Sequence, residues 1–215
     1  MRTTVLRPCK NTVLKGGLLA NRADVAREKM IPYQWLALND LVPDAEPSHA
    51  IENLRIAAGE KSGEFRGMVF QDSDVAKWLE AVAYSLAAHP DPELEAKADE
   101  VIDLVARAQQ PDGYLNSYYT IVDQENRWTN LAYNHELYCA GHFIEAAVAY
   151  YEATGKDRLL QVVCRLVDHI DSIFGPEEGK KKGYPGHEEI ELALVKLYRV
   201  TKDERHLKLA SYFVE

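Results

Sequence analysis

Two histidines, His142 and His187, each directly follow a glycine and lie in two similar segments of the chain. Imidazoles donate and accept hydrogen bonds near neutral pH, so two of them in one cavity can bind hydroxyl groups or transfer protons. His135 lies seven residues before His142, nearly two helical turns, so these two rings can share one face. A zinc protease needs its second histidine four places after the first, so the spacing excludes that class. We expect His142 and His187 to face the same cavity.

Acidic side chains are the second group that could do chemistry. Asp72 and Asp74 stand at a predicted helix start, where a carboxylate can cap free N–H groups and suits the helix dipole. The alternative is that one acid caps and the other reaches a substrate hydroxyl, and we assign that role to Asp72, which is nearer the loop. Two carboxyl groups are the usual requirement for hydrolysing a glycosidic bond. Spacing selects no pair among the candidates, which are Asp72, Asp74, Glu136, Glu145, Glu188 and Glu189.

Aromatic and polar residues occur together in the links at 109–119 and 184–187. Tyrosine rings beside amides and carboxylates can stack on the C–H face of a sugar while their neighbours bind its hydroxyls. The alternative is that these tyrosines pack beneath the loop, and composition leaves both open. We place Tyr114 near a sugar site.

Three cysteines, Cys9, Cys139 and Cys164, occur without a C-x-x-C pair or a histidine at metal-ligand spacing. Their apolar neighbours favour buried free thiols in a reducing compartment. The residues alone assign no zinc site.

The charge balance and the absence of long apolar runs limit the partners. The 215 residues carry a formal net charge of −9, and nucleic-acid binding needs a clustered basic surface instead. No apolar run reaches membrane-spanning length, and the basic start lacks the apolar stretch of a secretory signal. We expect a cytoplasmic protein with no nucleic-acid or membrane partner.

The elements that must position these residues are helices. Apolar residues recur at helical spacing in 75–86, 94–105, 144–151, 159–170 and 190–197. The turns at 89–92, 154–157 and 201–204 contain Pro, Gly or Asp, which end one helix and begin the next. The repeating unit is a helical hairpin. Before residue 72 we predict a short strand at 3–6, a helix at 18–39 despite Pro32, and a helix at 52–58.

Two of the hairpins are alike. A shift of 46 places aligns Ile144 with Ile190 and Lys156 with Lys202, and the Gly-His pairs open both hairpins. A hairpin cannot bury its apolar stripe alone, so the series either stacks into a solenoid or closes into a barrel. No linker divides the chain. We predict one all-α domain over 1–215 with a short irregular or β segment at its N-terminus.

Four segments resemble a known family, glycoside hydrolase family 127, which is typified by bacterial β-L-arabinofuranosidases. They are FRGMVFQDSDVAKWLEAVAYSLA at 65–87, AQQPDGYLNSYY at 108–119, NHELYCAGHFIEAAVAYYEATGKDRLL at 134–160 and GHEEIELALVKLYRVTKDERHL at 186–207. The resemblance implies the N-terminal part of an (α/α)6 barrel of six hairpins, a six-hairpin glycosidase fold. Glu188 departs from the pattern, since the family more often has Pro after Gly-His.

The resemblance also implies a retaining mechanism, with a zinc-held cysteine thiolate as nucleophile and a glutamate as acid/base. None of Cys9, Cys139 or Cys164 matches those cysteines. The last helix, 209–215, has no stop signal and no partner helix. We therefore expect a truncated chain with no zinc of its own and no nucleophile, whereas the complete family enzyme carries zinc.

The hypothesis that follows is a glycosidase fragment that supplies part of a sugar pocket through His142, His187, Asp72 and Tyr114. It would be inactive alone, and self-association or a missing C-terminal half would complete it. One rival is a noncatalytic helical-repeat scaffold, which predicts imidazoles more than about 15 Å apart, too far for one monosaccharide. The other rival is a metal-independent epimerase of the same six-hairpin fold with paired histidines as acid and base.

Overall fold

The computed structural model describes residues 13–215, and the regular secondary structure of this part is helical, with one isolated β-bridge between Phe174 and Lys181. The predicted strand at 3–6 and Cys9 lie outside the described residues. The helices are α1 Gly17–Val25, α2 Ile31–Leu38, α3 Ala50–Ala57, α4 Asp72–Ala88, α5 Pro92–Ala108, α6 Ser117–Val122, α7 Glu136–Thr154, α8 Arg158–Ile173, α9 Ile190–Thr201 and α10 Glu204–Val214.

The predicted helix at 18–39 is confirmed as α1, a π-helical turn at Ala26–Met30 and α2 in succession. Pro32 is the second residue of α2, and the wider π turn precedes it. A proline without an N–H is tolerated where the regular hydrogen-bond ladder starts afresh. The Trp78 indole of α4 donates to the carbonyl of Ile31 at 3.1 Å, which ties this N-terminal layer to the hairpins.

Three hairpins follow, α4 with α5, α7 with α8, and α9 with α10, and their boundaries are those that the turn residues predict. Asp91 caps α5 by accepting from the N–H groups of Glu93 and Leu94, and Pro92 is the first residue of that helix. Gly155 ends α7 with a φ of 78°, in the left-handed region that glycine adopts without strain. The side chain of Asp203 caps α10.

The hairpins form two layers. Helix α7 packs between α4 and α9, while α5 and α8 contact each other on the other side. The first helices of the hairpins therefore make an inner layer and the second helices an outer one. α7 is apolar on nearly all sides, and Phe143, Ile144 and Ala147 are all buried, as expected of a helix enclosed by neighbours.

The link at 109–119 leads into a short helix, α6, that packs against α3. The periodicity did not predict this helix, because six residues cannot show a repeat. Asn116 caps α6 through the N–H of Tyr119. Tyr114 and Tyr119 are buried, so these tyrosines pack beneath the loop.

Candidate functional site

Three aromatic side chains converge at one end of α7. The ring of Tyr138 lies 4.4 Å from that of His142 and 4.8 Å from that of His187, centroid to centroid. The centroids of the two imidazoles therefore cannot be farther apart than the sum of these distances. This sum is well below ~15 Å, and the scaffold hypothesis predicts a larger separation than that. The structure brings His142 and His187 close together around the ring of Tyr138.

The two histidines do not occupy equivalent positions, contrary to the predicted repeat. His142 lies inside α7, which begins at Glu136, whereas His187 precedes α9, which begins at Ile190. The glycines before them explain the convergence. A Cβ on Gly141 would lie 2.9 Å from the backbone N of Ile190, and one on Gly186 would lie 2.4 Å from the carbonyl O of Ala132. Both glycines let backbone segments approach closely, which brings His187 to the face of α7.

His135 joins the same cluster from the N-cap of α7. Its ring stacks on Phe70 at 5.3 Å and lies 6.1 Å from His187. Burial and the nearby His187 lower the pKa of His135. His135 stands at the N-cap with a φ of 58°, and its ring lies 5.6 Å from that of Tyr138.

Tyr138 and Lys77 are members of the cluster that the sequence analysis missed. The Lys77 ammonium donates to the Tyr138 hydroxyl at 2.8 Å and lies 5.0 Å from the centroid of that ring. Tyr138 precedes His142 by four residues, the spacing of side chains on one helix face, and that signal could have identified it. Lys77 had no comparable signal, because α4 and α7 meet only in the folded chain.

Several carboxyl groups cluster beside His142. Glu189 Oε1 is 3.2 Å from His142 Nδ1, and Glu145 pairs with the Lys196 ammonium at 2.5 Å. Burial, with the charges of Glu145 and Glu80, raises the pKa of Glu189, while Lys196 and Lys77 oppose the rise. Burial and Glu145 likewise raise the pKa of Glu80. Glu145 and Glu189 are two of the candidate carboxylates, and the fold brings them close to each other beside His142.

The environment of His142 favours its neutral form. Burial, followed by the positive charge of Lys77 and the nearby His187, lowers the pKa of His142 to about 4. Its side chain keeps 13% of its surface exposed. At neutral pH this residue is an uncharged imidazole that has one N–H donor and one acceptor nitrogen.

Asp72 does not reach this cluster. Its side chain is 1% exposed, and its two oxygens accept hydrogen bonds from the backbone N–H and the hydroxyl of Ser117, both at 2.6 Å. It neither caps α4 nor faces a loop mouth. The neighbouring Asp74, bound to Gln71, instead lines a cavity of about 490 Å³ beside the start of α4. Asp72 therefore links the start of α4 to the start of α6 through its hydrogen bonds to Ser117.

Tyr114 is also an interior residue, with no exposed surface. Its hydroxyl donates to Glu136 at 2.5 Å, and both carboxylate oxygens of Glu136 accept from the N–H of Trp128. The His169 ring packs on Tyr114 and accepts from the Trp128 indole N–H at 3.2 Å. This buried network holds the loop between α6 and α7, so neither Tyr114 nor Glu136 is at a surface that a sugar reaches.

The described cysteines do not fit a zinc-bound thiolate. Cys139 is fully buried in α7, and Cys164 lies on α8. Within residues 13–215 no group of three or more His, Cys, Asp or Glu side chains is arranged to hold a metal ion. Over the same residues, no helix has both the length and the apolar character to cross a membrane.

Helical hairpins packed as an inner and an outer layer are the arrangement expected of part of an α/α-barrel domain. The chain belongs to the β-L-arabinofuranosidase glycoside hydrolase family 127, whose catalytic-domain model matches residues 12–215. The implied family is confirmed, and with it the α/α-barrel arrangement that spacing had left open.

Individual relatives agree with this assignment. The chain is 47% identical to a non-reducing end β-L-arabinofuranosidase of Bifidobacterium longum subsp. longum, over 95% of this chain and 34% of that protein. It is 65% identical, with a TM-score of 0.93, to a family 127 β-L-arabinofuranosidase from Geobacillus stearothermophilus T6, covering 94% of this chain and 32% of the other. A family 127 β-arabinofuranosidase, BT3674, gives 33% identity and a TM-score of 0.87, over 95% of this chain and 33% of the other. The chain spans about a third of the length of these relatives.

Proposed function

We propose that this chain contributes the hydroxyl-binding part of the sugar pocket of a β-L-arabinofuranosidase, with His142 and His187 as its hydrogen-bonding groups. The observation that carries the proposal is the convergence of these two imidazoles on Tyr138. Membership of family 127 and the named activities of its relatives supply the substrate class.

The chemistry of the cluster suits a neutral furanose. A sugar ring offers C–H faces that pack on an aromatic ring and hydroxyls that need donors and acceptors at its edge. Tyr138 supplies the ring, the exposed His187 and the neutral His142 supply the edge groups, and Lys77 adds a donor. Asp72 and Tyr114, which we had placed in the pocket, act beneath it by holding α6 and the following loop.

We further propose that the chain alone binds the sugar and does not hydrolyse it. Of its described cysteines, Cys139 is buried and Cys164 is partly buried, and neither has the exposed, activated thiolate that a nucleophile needs. The complete enzyme would bring zinc and the acid/base glutamate from residues that this chain does not contain. A C-terminal part would complete the pocket.

The test is a titration of the purified chain with methyl β-L-arabinofuranoside, followed by amide NMR shifts. We expect saturable shifts around Tyr138, and a loss of affinity of roughly tenfold or more in His142→Ala and in His187→Ala, since each removes a buried or partly buried hydrogen bond. His89→Ala, in the turn between α4 and α5, is the matched control and keeps the affinity of the unaltered chain.

Three results would overturn the proposal. They are the absence of saturable shifts, release of arabinose by the purified chain, and a stoichiometric, tightly held zinc in the same preparation. Metal-free epimerisation of the sugar would favour the epimerase instead.

A further inference from the structure

Glu189 is the residue whose position the sugar-binding proposal does not explain. It directly precedes α9, its backbone N–H donates to the side chain of Glu191 at 3.0 Å, and its carboxylate turns inward to the face of α7. Its side chain is only 14% exposed. A carboxyl group with so little exposed surface loses much of its hydration, so a nearby hydrogen-bond donor stabilises it.

Gly141 is what allows this approach. A Cβ at position 141 would lie 2.7 Å from Glu189 Cγ and 3.0 Å from the backbone C of Glu189, so any other residue would force α9 away. With glycine there, Glu189 Oε1 reaches to 3.2 Å from His142 Nδ1. These two atoms do not form a hydrogen bond in this conformation, and neither ring nitrogen of His142 has a hydrogen-bond partner among the described residues. A hydrogen bond between them needs a rotation that brings the Nδ1–H into line with the carboxylate.

We propose that Glu189 is a positioning residue that fixes the orientation and tautomer of His142, holding the proton on Nδ1 and leaving Nε2 as a hydrogen-bond acceptor. A carboxylate accepts and cannot donate, so beside a neutral imidazole it selects the Nδ1–H form. The inference rests on the proposed sugar site for its consequence: His142 then accepts a hydrogen bond from a sugar hydroxyl and does not donate one.

The other groups around the ring are compatible with this assignment. Lys77 from α4, His187 from the loop before α9 and Tyr138 from α7 itself face His142, and burial with the first two keeps the ring neutral. Lys196 on α9 pairs with Glu145 and offsets part of the negative charge near Glu189. Glu189 is thus the carboxylate nearest to a ring nitrogen of His142 in this cluster.

The tautomer is measured without sugar, by long-range 1H–15N correlation of the imidazole nitrogens at neutral pH. The signals of His142 are assigned by their loss in His142→Gln. We expect the Nδ1–H form in the unaltered chain. In Glu189→Gln the amide can present either its oxygen or its NH2 to the ring, so the ratio of the Nδ1–H to the Nε2–H form falls about tenfold.

Two further variants make the outcome decisive. Glu188→Gln removes the same charge one residue away, from an exposed position, and keeps the Nδ1–H form. Glu189→Asp keeps the charge but shortens the side chain by one methylene, which moves the carboxylate away from the ring. We expect it to lose the preference for the Nδ1–H form, as Glu189→Gln does. It replaces Glu189→Gln if the amide spectrum of that variant is not native.

An Nε2–H form in the unaltered chain, or a tautomer ratio that is unchanged in Glu189→Gln or Glu189→Asp, would overturn the inference. A failure of methyl β-L-arabinofuranoside to bind would leave the tautomer result standing and count against the sugar site alone.

Discussion

Glu136 accepts a hydrogen bond from the hydroxyl of Tyr114 at 2.5 Å inside the protein, 22 residues apart in the chain. The contact joins the link before α6 to the first residue of α7, so the tyrosine holds the helix that carries Tyr138 and His142. Both partners lie beneath the proposed pocket, and their variants are expected to change stability first.

Tyr114→Phe is expected to lower the free energy of unfolding by about 1 to 3 kcal/mol, since it removes a donor from a buried carboxylate and fills the same space. Urea unfolding followed by circular dichroism measures the change. Tyr133→Phe is the control, because Tyr133 is 77% exposed and its loss of a hydroxyl costs little. Equal stabilities for both variants would contradict the structural role of Tyr114.

Stability is also expected to depend on pH through Glu136. Burial raises its pKa from 4.5 to about 7, although Tyr114 and the Trp128 N–H oppose the rise. The folded state then holds a proton that the unfolded state releases, so this contribution is complete below pH 4.5 and is lost as the pH rises to about 7. The loss amounts to roughly 3 kcal/mol.

Urea unfolding at several pH values between 4.5 and 7.5 measures the slope of the free energy of unfolding against pH. Glu136→Gln cannot titrate, so the stability difference between this variant and the unaltered chain changes across the range. Glu125→Gln, at an exposed position, keeps the original slope. A difference between Glu136→Gln and the unaltered chain that stays constant with pH would assign the slope to other groups.

These interior roles mark how far the sequence predicts the site. Periodicity and turn residues predicted the three hairpins, because five of their helices carry an apolar stripe and the turn inside each hairpin contains Pro, Gly or Asp. The Gly-His pairs indicated His142 and His187, although Gly141 and Gly186 act by permitting backbone contact and not by opening equivalent helices. Asp72 and Tyr114 were misplaced because residue type alone does not show whether a polar group points to solvent or to a buried partner such as Ser117.

The two hydrogen bonds between Asp72 and Ser117 can be removed together or one at a time. Asp72→Ala leaves the N–H and the hydroxyl of Ser117 buried without an acceptor, and we expect a loss of about 2 to 3 kcal/mol in the free energy of unfolding. Ser117→Ala removes one of the two bonds and costs about 1.5 kcal/mol. The double variant is expected to cost less than the sum, since both changes break the same contact. Additive losses would show that the two residues act separately.

Gly141→Ala has two effects on the free energy of unfolding, and they act in opposite directions. Alanine inside a helix gains about 1 kcal/mol over glycine, but the new Cβ would lie 2.9 Å from the backbone N of Ile190, and such overpacking costs about 1 to 3 kcal/mol. We expect net destabilisation, with shifted amide signals at the start of α9. In the control, Gly183→Ala, the Cβ would meet the end of the flexible Leu131 side chain at 2.9 Å and the Phe174 ring at an ordinary 3.7 Å, with no backbone atom in the way, so the cost is smaller.

Cys139 is expected to be chemically inert in the folded chain, although it lies only three residues from His142. It has no exposed surface, its thiol is 3.6 Å from the carbonyl O of Phe70, and burial with the nearby Asp72 raises its pKa well above the ordinary value. The thiolate is the reactive form, so both burial and pKa slow its alkylation.

Two variants isolate the thiols for this test. Cys9→Ser with Cys164→Ser leaves Cys139 alone, and Cys9→Ser with Cys139→Ser leaves Cys164, which is only partly buried. We expect iodoacetamide to label Cys164 in the native chain and Cys139 only in urea, since access to Cys139 requires α7 to separate from α4. Labelling of native Cys139 as fast as Cys164 would show that the inner layer opens readily, and would reopen the question of whether this cysteine takes part in the chemistry.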